Sequence, residues 1–152
     1  MHSRGARPGV VLIGLAVWLG STGCGAATPS SEPDFVTVQH ILIGYKGSVR
    51  GKSITRTAGE AKQLATELLE RAQQGEDFDG LLREYTDDSS PGIYKMSNFG
   101  VPADSVQQIQ ARDAMVPAFG DVGFPLAVGE IGMAEYHHQR SPFGWHIIKR
   151  IE

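Results

Sequence analysis

Two histidines near opposite ends of this 152-residue chain occupy matching apolar settings, His40 in Val38-Gln-His-Ile-Leu-Ile43 and His146 in Phe143-Gly-Trp-His-Ile-Ile-Lys-Arg150. Each precedes two β-branched or leucine residues, the pattern of a strand that carries one imidazole into a sheet interior. Side by side, two such strands would bring both rings under one site. Paired imidazoles suit acid–base work, metal ligation or a polar floor beneath a pocket. Between them lie a turn from Thr86 to Gly92 that carries Asp87 and Asp88, Met96 and Phe99 three residues apart, and Met115 and Phe119 four apart. A methionine and an aromatic from each of two segments can reach a shared apolar hollow.

The elements that must position these groups follow from periodicity. Phe35 to Tyr45 alternates apolar and polar residues before His40 and is continuously apolar after it, which predicts a central strand. Thr57-Ala-Gly-Glu60 is a capping box opening a helix that runs to about Gln74, with Ala61, Leu64, Ala65, Leu68 and Ala72 on one stripe; Gly75 ends it. Asp77 to Tyr85 predicts a second helix, with Phe78, Leu81, Leu82 and Tyr85 on one side. Short strands are expected at Met96 to Gly100 and Met133 to Tyr136, a helix opened by proline at Pro117 to Leu126, and a last strand at Gly144 to Ile151. The order predicts an α+β domain with a mostly antiparallel sheet and helices packed around it.

The N-terminus sets the compartment. Arg4 and Arg7 form a short cationic start, Val10 to Gly20 an apolar run of 11 residues, and small residues follow, so residues 1–23 read as an export signal. That run is shorter than the roughly 20 apolar residues a bilayer span requires. Cys24, the only cysteine, follows Ser21-Thr22-Gly23 where a lipoprotein signal places the residue that is acylated; this resembles a lipobox with Ser21 in place of the usual leucine. Cleavage after Ala26 or Ala27 is the alternative. Removing the signal takes two arginines and no acid, leaving 12 basic against 17 acidic residues and a net charge of −5. That balance argues against nucleic acid as a partner. Residues 24–34 are small, polar and proline-bearing, a flexible tether, and 35–152 suit one domain with one core.

Six strings in order carry a resemblance: His40-Ile-Leu-Ile43, Gly75-Glu-Asp-Phe78, Leu82-Arg-Glu-Tyr-Thr-Asp-Asp88, Met115-Val-Pro-Ala-Phe119, Val128-Gly-Glu-Ile-Gly132 and Phe143-Gly-Trp-His-Ile-Ile-Lys-Arg150. Together they resemble parvulin-type peptidyl-prolyl cis-trans isomerases over Val36 to Ile151. The resemblance implies a four-stranded, mostly antiparallel sheet surrounded by helices in the order βαααβαββ. It also implies cofactor-free rotation of the bond before proline and, for an exported member, proline-containing exported polypeptides as substrates. By position, His40 and His146 match the paired histidines, Asp88 a site that is cysteine in some parvulins and aspartate in many others, and Ser141 a hydroxyl beside the pocket. Met115 and Phe119 match the proline pocket, and Met96 and Phe99 its neighbouring strand.

Phe143 departs from the phosphate-directed branch, which has serine there. Lys46, Arg50, Lys52 and Arg56 form a basic loop that could select an acidic or phosphorylated residue before proline or could simply be solvated. His137 and His138, adjacent on a strand, would point to opposite faces and have no acid or cysteine at ligand spacing, so no metal site is expected. A monomer held to a membrane by a lipid is the expected state. The rival reading is a peptide-binding holdase using the same groove without turnover, favoured if the long stretch 101–112 covers that groove; a scaffold lipoprotein with an occluded or polar pocket is a third.

Overall fold

The computed structural model describes residues 32–152. The export signal, Cys24 and most of the tether lie outside the described residues.

Strand β1 (Phe35–Ile43) is buried from Val36 onward, as a run apolar on both faces requires. Helix α1 (Ala58–Gln73) begins on Thr57, whose hydroxyl accepts from the Glu60 amide while the Glu60 carboxylate accepts from the Thr57 amide. Its buried stripe is Ala61, Ala65, Leu68 and Ala72, with Leu64 partly buried beside it. Helix α2 (Phe78–Tyr85) is capped by the Asp77 carboxylate and buries Phe78, Leu81 and Leu82. Strand β2 (Ile93–Ser97) follows, then β3 (Ile109–Ala111), a 3-10 turn (Arg112–Ala114), helix α3 (Pro117–Gly123), and strands β4 (Ile131–Ala134) and β5 (Trp145–Arg150).

The sheet order is β3-β2-β1-β5-β4. Four of these strands form the antiparallel part, with β1 paired to β2 and β5, and β5 to β4. The expected four-stranded sheet is therefore corrected to a five-stranded mixed one, and the helix order to two helices before β2 and one after β3. The fifth strand comes from the long stretch 101–112. Asp104 accepts the Val106 and Gln107 amides through Oδ1, and that turn returns the chain so that Ile109 to Ala111 pair in parallel with Lys95 to Ser97. This covers the outer edge of β2, which would otherwise present unpaired amides.

Alternation along β1 and β5 divides the core in two. Ile41, Ile43, Trp145 and Ile147 pack with α1 and α2 on one face, whereas Val36, Val38 and Ile148 pack with Met96, Phe119 and Phe124 on the face covered by α3. Helix α3 can approach closely because Gly123 has no side chain: a Cβ there would stand 3.4 Å from both Met96 Cε and Val38 Cγ1. Burying each large side chain of this layer contributes about 1.5–3 kcal/mol.

Arg112, only 7% exposed, ties the C-terminal half of α3 to the turn after β2. Its guanidinium lies between the Phe99 and Phe124 rings, 4.6 Å from each centroid, and donates to Glu32 Oε2 at 2.5 Å, Asn98 Oδ1 at 2.9 Å and Asp121 Oδ1 at 3.1 Å. Desolvating a charge this far is offset by opposite charges and stacked rings together.

Candidate active site

His40 and His146 come together because of the β1–β5 register. His40 pairs with Ile148 and Leu42 with His146, so the two imidazoles are diagonal neighbours on the face towards α3. Their rings stack with centroids 5.3 Å apart and planes at 18°, and the Nδ1 atoms are 3.2 Å apart. Phe119 of α3 stands edge-on to both, at 5.0 and 5.5 Å.

Asp88 reaches this pair because β2 stops pairing with β1 at Gln39, and the loop after α2 takes over β1's edge. The Asp87 amide donates to the Leu42 carbonyl at 2.8 Å, the Leu42 amide to Thr86 Oγ1 at 3.2 Å, and the His40 amide to the Gly92 carbonyl at 2.9 Å. Asp87 accepts the Gly44 amide and pairs with Arg56. Gly92 is required here: its φ is +64°, and a Cβ would lie 2.6 Å from the His40 carbonyl oxygen. So stitched, the loop sets Asp88 Oδ2 at 3.0 Å from His40 Nε2.

These contacts define the protonation pattern. Hydrogen bonding from His40, opposed by burial, holds the Asp88 carboxyl well below the usual carboxylate range. Burial, reinforced by His40 and opposed by Asp88, lowers His146 to about 3, so its ring is neutral at pH 7. His40 Nε2–H donates to the ionised Asp88, and the two Nδ1 atoms share one hydrogen bond. His146 Nε2 is buried and has no hydrogen-bond partner among the described residues.

Above this floor opens a hollow of about 310 Å³ lined by His40, Leu42, Val49, Asp88, Tyr94, Ala114, Met115, Val116, Phe119, Phe143 and His146. Its walls are mainly apolar, and its polar groups converge on Asp88, the usual make-up of a small-ligand or side-chain site. The hollow brings together five of the residues singled out by sequence: His40, Asp88, Met115, Phe119 and His146.

The other three described candidates lie elsewhere. Phe99 is 65% exposed and lies on Arg112, because the strand ends at Ser97 and the chain turns, Val101 N donating to Asn98 O at 3.0 Å; its assignment to the pocket is corrected. Met96 is fully buried beneath α3 against Gly123 and is core, not wall. Ser141 is buried and outside the lining, donating its hydroxyl to the Gly144 carbonyl at 2.8 Å, which secures the turn into β5. His137 and His138, expected on opposite faces, stack with centroids 4.6 Å apart, because they lie in a turn where His137 Nδ1 accepts the Gln139 and Arg140 amides.

Tyr94 is the residue that sequence reasoning missed. Starting the strand at Met96 left it in a loop; beginning at Ile93 puts Tyr94 on the same face as Met96, two positions earlier. Its hydroxyl donates to Asp88 Oδ2 at 3.1 Å, and its ring meets His40 and Phe119 edge-on at 5.2 and 5.7 Å. The stretch 101–112 contributes nothing to the lining, so the covered groove that would have favoured the holdase reading is not seen among the described residues.

A four-stranded antiparallel core with helices on both faces, and paired imidazoles under an apolar, acid-bearing hollow, defines a parvulin-like domain. Residues 27–152 match the PPIC-type PPIase domain family. The Drosophila melanogaster protein dodo, named as a peptidyl-prolyl cis-trans isomerase, is 36% identical over 137 residues, covering 84% of this chain and 72% of its own. The chaperone SurA of Chromohalobacter salexigens is 34% identical over 113 residues, 74% of this chain but 21% of that protein. Among solved structures, peptidyl-prolyl isomerase ESS1 from Candida albicans superposes with a TM-score of 0.58 at 27% identity, covering 78% of this chain and 63% of that one. The chain belongs to the parvulin-type peptidyl-prolyl cis-trans isomerase family.

Proposed function

We propose that this domain catalyses rotation about X-Pro bonds in exported polypeptides, by binding the twisted imide in the hollow between α3 and the histidine floor. The observation that carries the reading is the convergence of Met115 and Phe119 with the His40–Asp88 pair in one solvent-open hollow. Family membership supports the reaction type, and the leader-like residues 1–23 support export.

Rotation crosses a barrier of roughly 18–20 kcal/mol because the imide loses its conjugation. A thousandfold acceleration needs about 4 kcal/mol of binding present only in the twisted state. Met115 and Phe119 supply an apolar seat for the proline ring and withhold water from the imide. A planar imide carries partial negative charge on its oxygen; twisting withdraws that charge and returns a lone pair to nitrogen. The Asp88 carboxylate, ionised by its hydrogen bonds, repels the oxygen more in the planar state than in the twisted one, so it lowers the barrier electrostatically. His40 holds that carboxylate in place and His146 orients His40. No covalent bond or proton transfer is required.

The rim selects the residue before proline. Phe143, 44% exposed, and Val49 line the mouth, and Ser48 Oγ donates to the Phe143 carbonyl at 2.8 Å, joining the basic loop to the last turn. Arg56 spends its charge on Asp87 and on the Gly44 carbonyl. An apolar residue before proline fits this rim better than a phosphorylated one. Isomerisation rates of a peptide panel with leucine, phenylalanine, glutamate or phosphoserine before proline test both points: acceleration is expected, greatest for the apolar members. Absence of acceleration in every peptide would refute the reading.

Acylation of Cys24 would tether the domain to a membrane surface through residues 25–34. Mass spectrometry of the chain recovered from membranes tests it, a diacylglyceryl adduct at Cys24 being expected; an unmodified chain beginning at Ala27 or Thr28 would contradict it.

A further inference from the structure

We infer that Tyr94 is a further catalytic residue, its phenolic hydroxyl turning from Asp88 to donate a hydrogen bond to the proline nitrogen of the twisted imide. This rests on the isomerase reading above.

The twisted state needs a donor that the planar state does not. When conjugation is lost, the proline nitrogen regains a lone pair and becomes a hydrogen-bond acceptor. Asp88 is an acceptor only, and His146 Nε2 is buried away from the hollow. Two side-chain donors meet the acid at the hollow, His40 Nε2–H and Tyr94 Oη–H, both on the same atom, Asp88 Oδ2, at 3.0 and 3.1 Å.

These two donors differ in their freedom to leave it. The His40 ring is held in place: its other nitrogen is bonded to His146, which stacks on it, and the Tyr94 and Phe119 rings meet it in T-shaped contacts. The tyrosine hydrogen only has to rotate about the Cζ–O bond, while its ring stays where it is. Releasing it strands nothing, since His40 still donates to the same carboxylate oxygen. Burial and the adjacent Asp88 charge raise the Tyr94 pKa, so the hydroxyl keeps its proton at neutral pH. The proton stays on tyrosine throughout, and no bond is made or broken.

Tyr94→Phe keeps the ring and its edge contacts and removes only the donor. An interaction made solely in the transition state lowers kcat and leaves KM unchanged, and one neutral hydrogen bond corresponds to about a tenfold loss. The test is exchange NMR of a Leu-Pro peptide with the exported chain in four forms: native, Tyr94→Phe, Asp88→Ala, and both together. The expected result is a loss of about tenfold in kcat from Tyr94→Phe, with KM within twofold, in both the native and the Asp88→Ala backgrounds. Native kcat in Tyr94→Phe would overturn the inference while leaving the isomerase reading intact. So would a loss that vanishes in Asp88→Ala, which makes Tyr94 a positioning residue acting through the carboxylate. An inactive native chain would overturn the isomerase reading and this inference with it. Should Tyr94→Phe fold poorly, 3,5-difluorotyrosine at position 94, a more acidic donor of nearly the same shape, is expected to shift the alkaline limit of activity to lower pH. An unchanged limit would overturn the inference.

Discussion

His146 should make this domain acid-sensitive in a defined pH window. The perturbation is a fall in pH from 7 to 4.5. In the unfolded chain a histidine takes up a proton near pH 6.5, whereas burial and the neighbouring His40 hold the folded His146 to about 3. Between those values the unfolded state binds the extra proton, so stability falls as pH falls, by about 1.4 kcal/mol per pH unit. Over the two units from 6.5 to 4.5 that is about 3 kcal/mol, a large share of the 5–15 kcal/mol typical of a domain. Asp88 acts in a lower window: its folded pKa is depressed, so the stability it confers is present above the ordinary carboxylate range and is lost only below it. Urea unfolding at pH 7.0, 6.0, 5.2 and 4.5, compared with His146→Leu, isolates the effect as the difference between the two slopes. NMR of the His146 ring should show a neutral imidazole throughout. Parallel pH slopes in the two proteins, or a His146 that titrates near 6.5, would refute the reasoning.

Three further outcomes follow from the same geometry. Phe119→Ala removes a fully buried ring that touches both histidines, so it should cost about 3–5 kcal/mol of stability as well as activity, read by thermal unfolding and peptide exchange. Met115→Ala, at a partly buried wall, should instead lower activity at least tenfold while the domain stays folded; equal stability losses in the two variants would contradict this division between core and wall. Gly92→Ala places a Cβ against the His40 carbonyl at positive φ and should cost about 1–3 kcal/mol, with loss of activity as the Asp88 loop shifts; circular dichroism melts and exchange rates check it.

Much of this was legible because strand periodicity and caps are local. The alternation in Val36 to Ile43 and the Thr57–Glu60 box announced β1 and α1 directly, and Met115 and Phe119 fell on one side of a proline-opened turn. The pairing of His40 with His146 depended on a register that two separate strands do not encode locally, though their matching apolar flanks suggested it. What escaped the sequence depended on where β2 begins and ends. Opening that strand at Met96 excluded Tyr94 and carried Phe99 into the pocket, whereas Asn98 and Gly100 turn the chain and send Phe99 onto Arg112. Strand β3 was invisible because three residues with no long apolar run pair only when the Asp104 turn returns them to β2. Ser141 lay at the right place in the chain, but its hydroxyl satisfies the Gly144 carbonyl outside the lining.

The central claim is that the hollow lowers the barrier to X-Pro rotation as well as binding the peptide. Exchange NMR of one Leu-Pro peptide with the native chain and with Met115→Ala, reporting rate and affinity from the same spectra, tests it most directly. The account predicts cis-trans exchange faster than the uncatalysed tens of seconds by at least a hundredfold, and at least a tenfold loss in the variant. Peptide binding with unaccelerated exchange in the native protein would contradict it and would make the site a holdase groove.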